Sequence, residues 1–329
     1  MPSLSIRRPA GAMVCITRRA QRKLLRIASE GAMAEVATQV MAVRVAELDL
    51  HIDARGTGLH LAAPPGHARF VEPHAAGFFE SPAVFDGLVL RVRTGPLPES
   101  REGVVSLCVA EHWELWLNEA GRYVFVAPRQ SPPRRVVVAP DFSAGEVFGD
   151  FSSCNGQDLY PHQSLEIRLF VNWLANFGDV ILHAAGVAIG GSGYCFAGFG
   201  GVGKSTLAAT LASDPAVTVL GEDQVVLRYL QGRFWIYGTP WHENPAMCAP
   251  LGVPLEKMFF LQRTGKDGVA ACTPADGVAR LLQTAFVPYY RPKAVSAILD
   301  RLALLAEQVP FYCLRYHLGS DALSLIREA

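Results

Sequence analysis

No C-x-x-C pair occurs anywhere in the 329 residues. The seven cysteines (Cys15, Cys108, Cys154, Cys195, Cys248, Cys272 and Cys313) are scattered singly. An odd, dispersed set fits reduced, buried thiols in the cytosol and argues against a disulfide framework or a zinc site. No run of 18 apolar residues is free of charge. The most apolar region, 180–203, contains His183 and many glycines and reads as buried strands. Net charge is also missing: 30 basic residues balance 30 acidic ones, and nothing in that balance suggests bulk electrostatic binding to nucleic acid or to a membrane surface. The N-terminus is basic but lacks the apolar core of a signal peptide. There is no internal repeat and no low-complexity stretch. These absences predict a soluble, cytoplasmic protein.

No acid precedes Glu30, whereas Arg7, Arg8, Arg18, Arg19, Arg22, Lys23 and Arg26 do. Residues 1–40 therefore read as a basic, poorly ordered tail, with 16–27 able to form a short basic helix and Met33 or Met41 as alternative starts. Beyond the tail the chain is apolar enough to fold. Half of all residues are hydrophobic, and the length predicts two domains. From 41 to 155, short alternating runs separated by proline and glycine predict a mostly antiparallel β domain, with strands at 41–52, 58–62, 69–71, 88–93, 104–109 and 134–138. Around Asn118-Glu119-Ala120-Gly121, flanking apolar runs predict a hairpin. His67, His74 and His112 are isolated, and no pair has metal-ligand spacing.

Residues 151–163 read as a linker into a second domain at 160–329. There, helix-period residues 165, 169, 173 and 174 predict a helix ending near Asn176. Strands are expected at 180–189, 217–220, 225–229, 234–237, 258–261 and 310–316. Helices are expected at 274–286, 292–308 and 320–328.

Within this domain one stretch carries chemistry. Gly198-Phe199-Gly200-Gly201-Val202-Gly203-Lys204-Ser205-Thr206 follows an apolar run and opens a helix-like run. The spacing G-x-x-x-x-G-K-S is the P-loop pattern, in which bare amides at a helix N-terminus cradle phosphate. Lys204 can reach the β- and γ-phosphates, and the Ser205 hydroxyl can ligate Mg²⁺. The same letters spell G-x-G-x-x-G, with Glu222 lying 19 residues beyond Gly203, near the place of a ribose-binding acid. The lysine and hydroxyl after the third glycine favour the phosphate reading, because a dinucleotide site has no use for them. Glu222-Asp223 end the next strand, where an acid can hold Mg²⁺ or accept a hydroxyl proton. A solvated strand end is the bland alternative. His183, in the strand before the loop, is read equally well as a core histidine or as a group beside the nucleotide.

Together, Leu182-His183-Ala184-Ala185-Gly186, the loop 198–205 and Gly221-Glu222-Asp223-Gln224-Val225 resemble the catalytic domain of the HPr serine kinase/phosphorylase family, over about 160–329. The resemblance implies an α/β fold: a phosphoenolpyruvate carboxykinase/HPr-kinase-like P-loop core, here preceded by the β domain. It implies ATP with Mg²⁺ and phosphoryl transfer to a serine-type hydroxyl. By position it assigns Gly198, Gly200, Gly201, Gly203, Lys204, Ser205 and Thr206 to the nucleotide. Ser205 and Asp223 fall on the metal, Glu222 on the acceptor proton, and His183 on the family's strand histidine. Assembly into a homo-oligomer is a further implication. The chain departs from the family in carrying Glu222 where Asp is usual, in its N-terminal half, and in lacking the segment associated with phosphorylase activity. It thus resembles a divergent member.

The expected activity is transfer of the ATP γ-phosphate to a hydroxyl of a peptide, a protein or a serine-like small molecule. The other readings are a non-transferring ATPase switch and, on the dinucleotide pattern, a nicotinamide enzyme. His242 and Glu243, in a loop similar to one in related kinases, are read either as lining the acceptor side or as a simple turn. Arg263, Arg280 and Arg291 are candidates to add positive charge.

Overall fold

Near-continuous apolar strands build the sheet that carries the loop. The computed structural model describes residues 40–53, 78, 87–94, 105–109, 113–127, 134–149, 163–242, 244, 247–263, 266–317 and 319–329. The expected tail, most of the linker and the strands at 58–62 and 69–71 lie outside these residues, as does Glu243. The architecture is mixed α/β, built on two large sheets. Among the described residues no helix is long and apolar enough to cross a membrane.

The first sheet comprises β1 (Val40–Val45), β2 (Leu48–Asp53), β3 (Leu88–Thr94), β4 (Val105–Val109), β5 (Glu114–Leu117), β6 (Tyr123–Ala127), β7 (Arg134–Val138) and β8 (Ala144–Gly149). Its order is β1-β2-β3-β8-β7-β6-β5-β4. The β2–β3 and β3–β8 pairs are parallel and the others antiparallel. At the predicted hairpin, Gly121 has φ +72°, and the Asn118 side chain accepts from the Arg122 amide. One face of this sheet is buried by α1 (Gln163–Leu174), where Phe125, Val136, Phe142, Leu169 and Phe170 share a core. Gly178, with φ +74°, ends the 3₁₀ turn that extends α1 to Phe177, as the sequence predicts.

The second sheet is built from β9 (Val180–Ile189), β10 (Ser192–Ala197), β11 (Val217–Gly221), β12 (Gln224–Leu230), β13 (Arg233–Tyr237), β14 (Gly252–Gln262), β15 (Gly268–Ala271) and β16 (Phe311–Arg315). The helices α2 (Lys204–Leu211), α3 (Pro274–Leu282), α4 (Pro292–Gln308) and α5 (Ala322–Glu328) cover it. Leu182, Ala184, Cys195, Ala197, Met258 and Phe260 face α3 and α4. Their chain neighbours Ala185, Phe196, Phe259 and Leu261 face α2 and α5. A sheet buried on both faces needs near-continuous apolar strands, which is why 180–197 has so little polar character. The parallel strands β10, β14 and β16 run side by side, so their C-terminal ends, and the loop after β10, lie at one edge.

Several boundaries differ from expectation. The strand expected at 258–261 begins at Gly252, because its first residues pair with β13. The helix expected over 274–286 stops at Leu282, and Ala285 bridges to Leu182 on β9. β15 is absent from the expected strands, since its small residues carry little strand signal.

A buried ion pair fastens the two halves. Arg228 Nε donates to Asp179 Oδ2 at 2.8 Å, both side chains being almost wholly buried. The Tyr229 amide donates to the other carboxylate oxygen, and Arg228 Nη1 donates to the Ala46 carbonyl in the β1–β2 turn. Burial raises the Asp179 pKa against the opposing pull of Arg228.

Candidate active site

The glycine loop spans residues 198–203, between β10 and α2. Gly201 and Gly203 have φ of +75° and +109°, backbone that side chains rarely adopt. A Cβ on Gly200, Gly201 or Gly203 would meet nothing within 4 Å, so it is backbone conformation at Gly201 and Gly203, and not crowding, that favours glycine there. Its first turn into α2 places Lys204 inside and Ser205 and Thr206 on the exposed side. Lys204 is only 5% exposed, and burial lowers its pKa while Asp223 pulls the other way.

All three Lys204 protons have acceptors. Nζ donates to the Gly198 carbonyl at 2.9 Å and to the Phe199 carbonyl at 3.3 Å. Its third contact, at 2.9 Å, is His183 Nε2. An ammonium has no acceptor capacity, so Nε2 must supply the lone pair and the ring proton must sit on Nδ1. That nitrogen lies 3.0 Å from Asp223 Oδ1 and donates to it. The hydrogen bond from His183 is the main cause of a lowered Asp223 pKa, with burial opposing it. The structure thus joins three of the sequence-selected residues into one chain of contacts: Lys204, His183 and Asp223.

The acid pair owes its position to an interrupted ladder. β11 and β12 lie end to end along the same edge of β9: Gly221 pairs with Gly186, and Gln224 with His183. Two residues lie between the partners on each strand, so the register continues while Glu222 and Asp223 leave the ladder. A bulge before Gly221 precedes this departure. Glu222 Oε1 accepts from the Asn244 amide at 3.3 Å. Among the described residues no hydrogen bond joins Ser205 to Asp223. Glu222 precedes Asp223 in the chain, and Ser205 is exposed on the first turn of α2.

Other expectations change. His242 does not line an open acceptor side; it is 5% exposed and lies under Gly221, whose added Cβ would come within 2.7 Å of its ring. Arg291 is committed to α1 and its 3₁₀ extension, donating to the Asn172 carbonyl and to Asn176 Oδ1, with its guanidinium over Phe142. Arg280 stands over the Phe260 ring. Arg263 alone follows a strand, β14, that ends beside the start of the loop, and it is exposed. Phe199 is 67% exposed within the loop. Sequence reasoning misses it because nothing in a P-loop pattern specifies that position.

The donor set can be weighed for a cation. No group of three or more His, Cys, Asp or Glu side chains forms a cluster among the described residues. Mg²⁺ bound with a nucleotide needs only one or two protein oxygens, the rest coming from phosphate and water. An ionised Asp223 and the Ser205 hydroxyl fit that demand.

No protein-family model matches the chain, and no curated protein matches it. Among solved structures, it is similar to the HPr(Ser) kinase/phosphatase from Coxiella burnetii. The identity is 13%, over 45% of this chain and 86% of that one, with a TM-score of 0.27. A likeness this loose says nothing about the site.

Proposed function

We propose that this protein is an ATP- and Mg²⁺-dependent kinase that transfers the γ-phosphate to a hydroxyl, of the serine type, on a peptide, a protein or a small molecule. The observation that carries this reading is the contact chain Lys204–His183–Asp223 at the mouth of the glycine loop. A loop that only bound phosphate would not need an acid and a histidine wired to its lysine.

In this reading the loop amides and the N-terminus of α2 hold the β- and γ-phosphates. Lys204 exchanges its loop carbonyls for phosphate oxygens and neutralises charge as the phosphoryl group moves. Ser205 and Asp223 would hold Mg²⁺, which would supply positive charge against the phosphates. His183 keeps Asp223 ionised and directed toward the loop. Glu222 accepts the proton of the acceptor hydroxyl as its oxygen bonds to phosphorus and the bond to the bridging oxygen of ADP breaks. Arg263 is the described arginine best placed to add charge from the strand edge.

The test is mass spectrometry of peptide, protein and serine-like acceptors incubated with Mg·ATP. A gain of one phosphoryl group on a hydroxyl, lost in Glu222→Gln, is expected. Unchanged nucleotide-dependent partner binding with no transfer to any acceptor would indicate a switch instead.

A further inference from the structure

Residues 238–242 and 247–249 pack against the end of β11. Cys248 bridges to Gly221, and the Ala249 amide donates to the Leu220 carbonyl. This brings His242 against the last residue of β11.

The hydrogen bonds of His242 have a determined direction. Thr239 Oγ1 donates its single proton to the Gln224 carbonyl at 2.8 Å. The same oxygen lies 3.2 Å from His242 Nε2, so it can only accept there, and Nε2 must carry the ring proton. The relay runs His242 Nε2–H to Thr239 Oγ1–H to the carbonyl of Gln224. It ties the residue after Asp223 to a ring that packs on the residue before Glu222. Both ends of the excursion from the ladder are gripped by one side chain. His242 Nδ1 is buried, and the ring is held by packing, by Nε2 and by an interaction with the Thr239 backbone. Titratable groups facing it are Asp223, whose charge it feels, and Glu222, which acts on the neighbouring Cys248.

We propose that His242 is a positioning residue: with Thr239 it fixes the backbone of Gly221, Glu222 and Asp223 so that the two carboxylates stay at the mouth of the P-loop. This rests on the kinase reading for its functional meaning, though not for its geometry.

Two substitutions separate donor from bulk. Glutamine can place an amide nitrogen where Nε2 stands; asparagine is too short. His242→Gln should keep the ¹⁵N shifts of the Glu222 and Asp223 amides near their wild-type values, with kcat within about 3-fold. His242→Asn should move both amides and lower kcat roughly 10–100-fold at unchanged KM for ATP, the size of loss seen when a supporting hydrogen bond is removed. Thr239→Val keeps the shape and removes the relay, and should match His242→Asn even if the latter fails to fold. Wild-type amide shifts and kcat in both His242→Asn and Thr239→Val would overturn the proposal. If the wild type transfers no phosphate, the kinase reading fails, and the amide shifts still decide whether His242 sets this backbone.

Discussion

His183 Nε2 lies 2.9 Å from Lys204 Nζ, and the other nitrogen of the same ring lies 3.0 Å from Asp223 Oδ1. The imidazole therefore transmits the position of the acid to the lysine, and each of the three side chains constrains the next.

Removing the histidine should be felt first at Asp223. Its carboxyl sits below 3.8 chiefly because His183 donates to it, whereas burial pushes it up. In His183→Ala the ¹³C titration midpoint of Asp223 should rise. The effect on stability has a definite sign. A carboxyl depressed in the folded state contributes stability above its unfolded value of 3.8, and that contribution fades as pH falls through the folded value. The difference in denaturation midpoint between wild type and His183→Ala should thus be present at pH 5 and shrink below pH 3.8. A gap that widened with acid would contradict the assignment.

The Asp179–Arg228 pair tests the packing of the two halves. Asp179→Ala leaves a guanidinium buried without its counter-ion and should cost about 3–5 kcal/mol in urea unfolding. Asp179→Ala/Arg228→Met, which removes both charges, should recover much of that loss. No recovery would mean that the bonds to Ala46 and Tyr229, rather than charge burial, dominate.

Gly221 is fixed by space. A Cβ there would come within 2.7 Å of the His242 ring and of the Gln224 carbonyl. Gly221→Ala should cost about 1–3 kcal/mol in thermal or chemical unfolding. It should also displace the Glu222 and Asp223 amides by NMR. Adding His242→Ala should relieve part of the strain on the ring side only.

Legibility from sequence follows the range of the interactions. The P-loop is a local object, since its lysine, its glycines and the helix after it are neighbours in the chain, and spacing alone places them. The meeting of His183 with Asp223 depends on β9 pairing with β11 and β12 end to end, a register that periodicity does not encode. His242 shows the limit most clearly. Its burial depends on packing against Gly221 at the end of β11, whereas a loop reading puts it on the acceptor side or in a simple turn. The short end of α3 has the same origin: residues after Leu282 still look helical locally, but Ala285 finds a partner on β9. Arg291 ranks equally with Arg263 in the sequence because charge carries no information about which carbonyls it will meet.

Glu222→Gln separates chemistry from binding. The substitution keeps an acceptor oxygen for the Asn244 amide and removes the base. Transfer should fall by at least about 100-fold, within the range for a general base, while Mg·ATP affinity by calorimetry stays within about 3-fold. Loss of nucleotide binding instead would place Glu222 on the metal rather than on the acceptor.

Everything assigned to this loop depends on Lys204 serving phosphoryl transfer there. The direct measurement is transfer of labelled γ-phosphate from Mg·ATP to an acceptor found by mass spectrometry, comparing the wild type with Lys204→Ala. The wild type should label a hydroxyl, and Lys204→Ala should not do so above background while still folding. Equal labelling by the two proteins would contradict the assignment of Lys204.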